Sequence, residues 1–579
     1  MTTDKTFRLY DDELHEAVNL IWNNEGDKAK KLLVQHATRS PRHALVLAEV
    51  DWLSAMLSQN ESVLTKVLEL FNKALEMAEK FSSDFPKSAH ASGLLPKDAS
   101  PEHVQAVRDE LALVQADANL FSAMMLIFLD HRVKGAWRMR KAWVVFSSML
   151  SRQTLAVAPE LQACVRYGAG FFMFIMSWLP PVVTSVLKVV GFVSDRVRGQ
   201  KLMEQAADEE NSIRAPIANM CLIASAVIVP HALTDINDLL AHAKPRIDLT
   251  LQKWPNGPMF SWCASYYSRK IGDEKMTQQH LSHAIDECMA TGNFKQPPLM
   301  LVMDKAISLL LSQQFEESIK LLDEISSRKE KAMFQGMPHV LCAICHHMLG
   351  REDKCAKELK AAKAMKLKGK DKIICDFVLG TTEERKSGFL LMPYQMQYVR
   401  RDVAHMQKPT AQSWLDSMDR EWKAKSDGKD LPRDEVLTYN FLRIIFSGVV
   451  AGTLDDAAYE GLKGILAEAS SLKASSKRTT LHTLNAFVRV ELAEIEHNKG
   501  NLAQAELLLK EAVKLCNGGI LEAVLRPRAT IALEQIREEK KQRGISVPSE
   551  DDATADASEE VLTEEELKKA VEAEDAQSP

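Results

Sequence analysis

"ELAEIEHNKGNLAQAELLLKEAVKL", residues 491 to 515, decides the fold. Apolar residues recur in it at spacings of three and four, the period of an amphipathic helix. The Asn-Lys-Gly-Asn interruption divides the stretch into two helices that turn at Gly500. On the second helix Ala505, Leu509 and Ala512 place small, large and small side chains where the two helices of a hairpin come closest.

The layout recurs along the chain. "SRKIGDEKMTQQHLSHAIDE" repeats it with Gly272, Thr277, Leu281 and Ala284, and "MLGREDKCAKELKAAKA" with Gly350, Cys355, Leu359 and Ala362. Weaker copies carry Ser318, Leu322 and Ile325 in "LLSQQFEESIKLLDEIS", and Val67, Phe71 and Ala74 in "SQNESVLTKVLELFNKALEMA". Any amphipathic hairpin yields one such pattern, but five copies with similar turns point to a shared unit. The fold class is therefore all-α, with tetratricopeptide-like helical-hairpin repeats in a superhelical array.

Composition agrees. Aromatic residues make up 6% of 579 residues, and hydrophobic residues 46%, which is ordinary for a globular chain. Turn-forming breaks at 80–103, 243–258, 292–298, 428–435 and 543–552 divide it. They predict N-terminal hairpins over 1–80, a loop over 81–103, a helical region over 104–242, central repeats over 243–427 and C-terminal repeats over 428–542. The remainder, 543–579, reads as a mostly disordered acidic tail. Of the formal charge of −6, residues 549–579 hold twelve Asp or Glu against two Lys, so the tail carries −10 and the rest +4. A body so close to neutral offers no global field for nucleic acid. Thr563 with Glu566 would cap one short helix within the tail. Nine scattered cysteines suit buried thiols in a reducing compartment, and the acidic N-terminus lacks the pattern of a secretory signal. A cytoplasmic location is expected.

Several stretches invite chemistry. "CAICHH", Cys342 to His347, matches a haem-attachment pattern, and Cys355 could complete a zinc set. The repeat layout puts the same residues on an ordinary first helix, so neither cofactor nor metal is expected. "HRVKGAWRMRKAW" interleaves Arg132, Lys134, Arg138, Arg140 and Lys141 with Trp137 and Trp143; it reads as a helix with tryptophans inward and cations solvated or paired, and it is also the best candidate for anionic contact. "YGAGFFMFIMSWLPPVVTSVL", Tyr167 to Leu187, is long and uncharged. Pro180 and Pro181 split it into pieces too short to span a membrane. The favoured reading is core; a partner groove, or a lipid-facing hairpin through Phe171, Phe172, Phe174, Trp178 and Leu179, stands beside it. Phosphate loops, nucleophile elbows and zincin motifs are absent, so no catalytic residue is assigned and no enzyme is expected.

Residues 168 to 224 bear a resemblance to a known family. Gly168 and Gly170, Leu179 to Pro181, Gly191 and Phe192, Asp195 and Arg196, and "SIRAP" from Ser212 to Pro216 resemble the signature block of the tetratricopeptide repeat protein 39 family and the related fungal inclusion-body clearance proteins. "HALVLAEVDWLSAMLSQN", "WPNGPMFSWCASYYSRKIGD" and "RKEKAMFQGMPHVLCAICHHMLGREDKCAKEL" extend the resemblance over most of residues 10 to 540. It departs at Ser261 to Tyr266, which lack an Ala-Gly pair, and in the acidic tail. The resemblance implies a non-enzymatic adaptor linked to lipid metabolism, lipid droplets and inclusion-body clearance, either soluble or attached peripherally, and it carries over no catalytic residue.

The leading expectation is thus a scaffold that takes a protein partner of unknown identity on an inner groove, with Trp262, Tyr266 and Tyr267 among its lining. A chaperone-tail clamp would need Lys and Asn at first-helix positions that here hold pairs such as Trp52 and Met56, or Trp262 and Tyr266, and it fails. The alternative is a peripheral lipid-surface protein, in which Phe171, Phe172 and Trp178 act with the basic run.

Overall fold

The repeated turn explains the architecture. The computed structural model describes residues 9–152, 159–175, 195–210, 212–229, 233, 236–292, 294–328, 333–427, 431–472, 480–516 and 521–545. Among them are twenty-five α-helices, one 3-10 helix and no strand. The N-terminal part holds α1 (Asp12–Trp22), α2 (Gly26–Val34), α3 (Pro41–Ser58), α4 (Glu61–Ser83), α5 (Lys87–Ser92), α6 (Pro101–Phe128), α7 (Arg132–Ser151), α8 (Pro159–Ile175), α9 (Arg196–Ala207), α10 (Ala215–Val227) and α11 (Ile236–Lys253). The central hairpins are α12 (Pro258–Lys270) with α13 (Glu274–Ala290), α14 (Leu299–Leu311) with α15 (Phe315–Ser326), and α16 (Gly336–Met348) with α17 (Glu352–Lys363). Then come α18 (Gly369–Glu384), α19 (Met392–Val399), the 3-10 turn Val403–His405, α20 (Lys408–Ser426), α21 (Arg433–Ala451), α22 (Asp456–Ser471), α23 (Thr480–Asn498), α24 (Leu502–Cys516) and α25 (Glu522–Gln542).

Gly272, Gly350 and Gly500 adopt left-handed backbone, as do Asn24, Asp130 and Gln313. In all six turns the next residue's N–H bonds back to the carbonyl five residues earlier, at 2.8–2.9 Å. This helix stop satisfies an orphan carbonyl and launches the next helix antiparallel. Glycine enters left-handed backbone without strain, and Asn and Asp do so more easily than most residues, so α1–α2 and α6–α7 share the turn without sharing its glycine. The small-large-small positions interlock as their spacing demands. Ala505, Leu509 and Ala512, Thr277, Leu281 and Ala284, Ser318 and Leu322, and Phe71 are completely buried, and Leu359 alone of the five sets is only partly so.

Two expected boundaries move. The connection 81–103 carries α5, because Ala89 and Leu95 bury against Val107 and Leu111 in a small core of their own. The break expected from residue 243 falls at 254–257 instead. There α11 runs on through Pro245, since Leu240, Ala243, Ile247 and Thr250 form one buried stripe that outweighs the lost backbone bond.

Buried side chains gather in two large cores. The first runs from Tyr10 to Leu301 and the second from Leu299 to Ile536, so that α14 is their seam. The N-terminal hairpins fold back onto the central ones: Trp22 meets Phe260 at 5.3 Å between ring centres, and Met333 N–H donates to the Gln59 carbonyl at 3.1 Å.

Candidate functional site

The seam positions the aromatic candidates. Trp262, Tyr266 and Arg269 sit at i, i+4 and i+7 on α12 and therefore share a face. Opposite them α14, "LMLVMDKAISLLL", carries Asp304, 7% exposed and the lone acid in a largely apolar run. The Trp262 indole N–H donates to Asp304 Oδ2 at 2.6 Å, and the Tyr266 hydroxyl reaches both carboxylate oxygens at 2.9 and 3.0 Å. Trp262 and Tyr266 pack edge to face, 5.4 Å apart, and the Arg269 guanidinium lies over the Tyr266 ring at 4.9 Å while donating to the Asp304 carbonyl. Burial, then the Asp304 charge, push the Tyr266 phenol far above its usual range. The result is a partly buried aromatic platform with its polar atoms already engaged. Such rings suit recognition, since they bring large contact area with few rotatable bonds. Tyr267, like them, packs partly buried against the first core; the side-chain bonds to the Asp304 carboxylate come from Trp262 and Tyr266.

Next to the platform is a group of cations that the sequence did not single out. Lys270 ends α12, and Arg400, Arg401 and His405 follow α19. Asp304 could have been found from sequence as the lone acid in an apolar helix. The cations could not, because 130 residues separate Lys270 from Arg400 in the chain.

Farther along the array the inner space is taken. All eight residues of α19 are buried. Tyr394 packs against Trp414 and Phe446, and Tyr398 lies between Phe441 and Phe487, each 4.9 Å away. The Tyr398 hydroxyl donates to Glu491 at 2.6 Å and accepts from Arg528 at 3.2 Å. The chain thus encloses its own helix between α20, α21, α23 and α25.

The other candidates scatter. Phe171 and Phe172 are 6% and 1% exposed, packed with Tyr167, Trp143 and Phe146, so the lipid-facing expectation for them is corrected: they are core. Close packing here excludes a Cβ, since one on Gly168 would stand 2.1 Å from the Phe146 ring. Trp178, with Leu179 to Pro181, Gly191 and Phe192, lies outside the described residues. The basic run does not form one outward patch either. Arg138 donates inward to Asn119 and Asn72 at 3.1 and 3.0 Å, Arg132 pairs with Asp130 at 2.9 Å, and Arg140 covers Trp137 at 5.0 Å. Lys141 is exposed and Lys134 half-buried, while Trp143 is buried. Cys342 and Cys345 are buried on α16, the Cys345 thiol pushed up to about 12 by burial, and among the described residues no three metal-ligating side chains converge.

Arg214 of "SIRAP" has a structural task. It bonds Glu49 of α3 at 2.9 Å and Asp117 of α6 at 2.7 Å, and Asp117 also receives Arg42 at 2.6 Å. Arg42 continues to Glu110, which accepts from Tyr10 at 2.8 Å. Among the described residues one helix, α6, is long and apolar enough to cross a membrane; it is largely buried, and it carries Glu110 and Asp117 of this network.

The sequence model described as Iml2/Tetratricopeptide repeat protein 39 matches residues 15–445. The protein "Tetratricopeptide repeat protein ttc-39B" of Caenorhabditis elegans is 23% identical over 289 residues, which cover 47% of this chain and 49% of that protein. The chain thus spans about half the length of this curated relative. Among solved structures, the APC/C hetero-tetramer Cut9-Hcn1 aligns over 90% of this chain and 96% of its own at 13% identity, with a TM-score of 0.22. The hairpin of residues 491–515 lies beyond the family match and continues the same architecture.

Proposed function

Because the chain belongs to the Iml2/Tetratricopeptide repeat protein 39 family, we propose that it is a non-enzymatic scaffold that docks protein partners on the seam of its inner face. One observation carries this: Trp262 and Tyr266, partly buried, are held side by side by Asp304 at the seam of the two cores. Both Asp304 oxygens already accept hydrogen bonds, which favours recognition over acid–base work there. A cytoplasmic location belongs to the proposal and is supported by eight free, buried cysteines among the described residues. The lipid-metabolism and inclusion-body-clearance roles implied by the resemblance enter as settings in which such docking would be used. Peripheral lipid contact loses Phe171 and Phe172 to the core, and no observation favours it as a second reading.

The test is partner capture with the full chain, comparing Trp262→Ala and Tyr266→Ala with Val144→Ser on α7, where Val144 is 50% exposed. The two platform variants are expected to lose the same partners while remaining helical at the assay temperature, with melts lowered by the lost bonds to Asp304, and the α7 variant to keep them. Retention of every partner by both platform variants sinks the assignment.

A further inference from the structure

Lys270 stands in an unusual place for an ammonium. Its Nζ lies 3.1 Å from His405 Nε2, and no carboxylate among the described residues pairs with it. The acids around it are committed. Asp402 bonds Arg400 at 2.8 Å, Asp304 holds Trp262 and Tyr266, and Glu491 and Glu494 bond Arg528, leaving Arg401 as their second claimant at 3.5 and 3.7 Å. Burial, with Arg401 and Arg269 nearby and Asp402 opposing, pushes Lys270 down to about 8. The same burial and cations hold His405 neutral, well below its usual range. A partly buried cation without a counter-ion is costly, and an incoming carboxylate relieves that cost.

We propose that Lys270, His405 and Arg401 form a carboxylate-binding station, and that its ligand is the chain's own acidic segment, residues 549–579. Charge selects this occupant: twelve acids stand there against two lysines, while the rest of the chain is net positive. Reach permits it. Arg528 of α25 is bonded to Glu494, which Arg401 also approaches, and α25 extends fourteen residues beyond Arg528 to Gln542. That is about 21 Å of helix. A coil of some thirty residues has a root-mean-square span of roughly 30 Å, longer than that stretch of helix, so chain length does not keep the acids from the station. Ile271, next to Lys270 and 46% exposed, offers an apolar contact for Val561, Leu562 or Leu567 among the acids. A segment seated there lies one helical turn from Tyr266 and would compete with whatever docks on the platform. That consequence rests on the docking reading; the contact itself does not, and it is tested with no partner present.

Zero-length carbodiimide cross-linking of the full chain, as a mixture of isotope-labelled and unlabelled protein, reads the contact. The expected result is an intramolecular link between Lys270 and acids within 550–575, lost at about 0.5 M salt where charges are screened within a few ångströms. The combined Glu564→Gln, Glu565→Gln and Glu566→Gln variant should lower its yield several-fold, as should Arg401→Gln. Reductive methylation gives a second readout, with Lys270 expected to react several-fold faster in the triple variant than in the wild type. Links from the acids only to Lys134 or Lys141 overturn the proposal, as do links only between molecules. So does a Lys270 methylation rate indifferent to the three glutamates.

Discussion

The two cores use buried charge differently. In the first, Arg42 and Arg214 join Glu49, Glu110 and Asp117, so that α3, α6 and the start of α10 meet through ions. In the second, Arg528 holds Glu491 and Glu494 together with Tyr398, a residue of the enclosed helix α19. The first network bolts a long excursion, α5 to α10, onto the N-terminal hairpins. The second fastens a plug inside the array. Buried ion pairs rarely add net stability over apolar packing, but they penalise wrong arrangements and the loss of one member. Here each stands where the hairpin repeat departs from simple stacking, and that departure is what a stack of identical units would not specify.

The largest expected effect breaks the first network. Arg214→Leu leaves Glu49 buried without its partner and Asp117 held by Arg42 alone, and should cost about 3–5 kcal/mol. Hydrogen exchange then separates the halves: protection should fall across α3, α6 and α10 while α20 to α25 keep theirs. Equal loss in both halves would mean that the cores unfold as one unit.

Tyr398→Phe is the smaller counterpart in the second core. It removes a hydroxyl bonded to Glu491 and Arg528 and should cost about 1.5–3 kcal/mol, the range for hydrogen bonds to charged groups. The loss of exchange protection should centre on α19 and α23. A loss centred on α3 or α6 instead would show that the comparison between the halves is wrong.

The smallest effect is a pH dependence at the seam. His405 is held neutral in the folded chain, so below about pH 6.5, its unfolded value, the unfolded state binds more protons and stability falls with pH. His347 works oppositely. Burial disfavours its charge, but Glu421 at 3.2 Å outweighs that and raises it, so its contribution is present at low pH and lost as pH rises through the raised value. Melting curves from pH 7.5 to 5.5 should therefore fall less steeply for His405→Gln and more steeply for His347→Gln. The effect of His405 is bounded by about 1.4 kcal/mol at pH 5.5. Parallel wild-type and His405→Gln profiles would place His405 in contact with water.

How much was legible depended on distance along the chain. Gly272, Gly350 and Gly500 announced their turns, but Asn24, Asp130 and Gln313 make the same turns under residues that a glycine search passes over. Trp262 and Tyr266 were legible because four residues apart on a helix is a shared face. Their partner Asp304 is some forty residues away, and Lys270 meets His405 across 135 residues. The uncharged run from Tyr167 showed that it was apolar and broken by prolines, but not which side its phenylalanines would face, because hydropathy does not encode what packs against a surface.

The sequence by itself determined the helical-hairpin class, the spacing of its interlocking side chains and the charge imbalance between tail and body. These follow from local periodicity and composition, in which each residue acts on neighbours within a turn or two. Only the tertiary structure decided that Arg214 would be a bolt, that α19 would lie inside the array, and that Phe171 and Phe172 would be core. Each of those outcomes depends on which distant segment excludes water from the residue, and that choice is made when the hairpins close on one another.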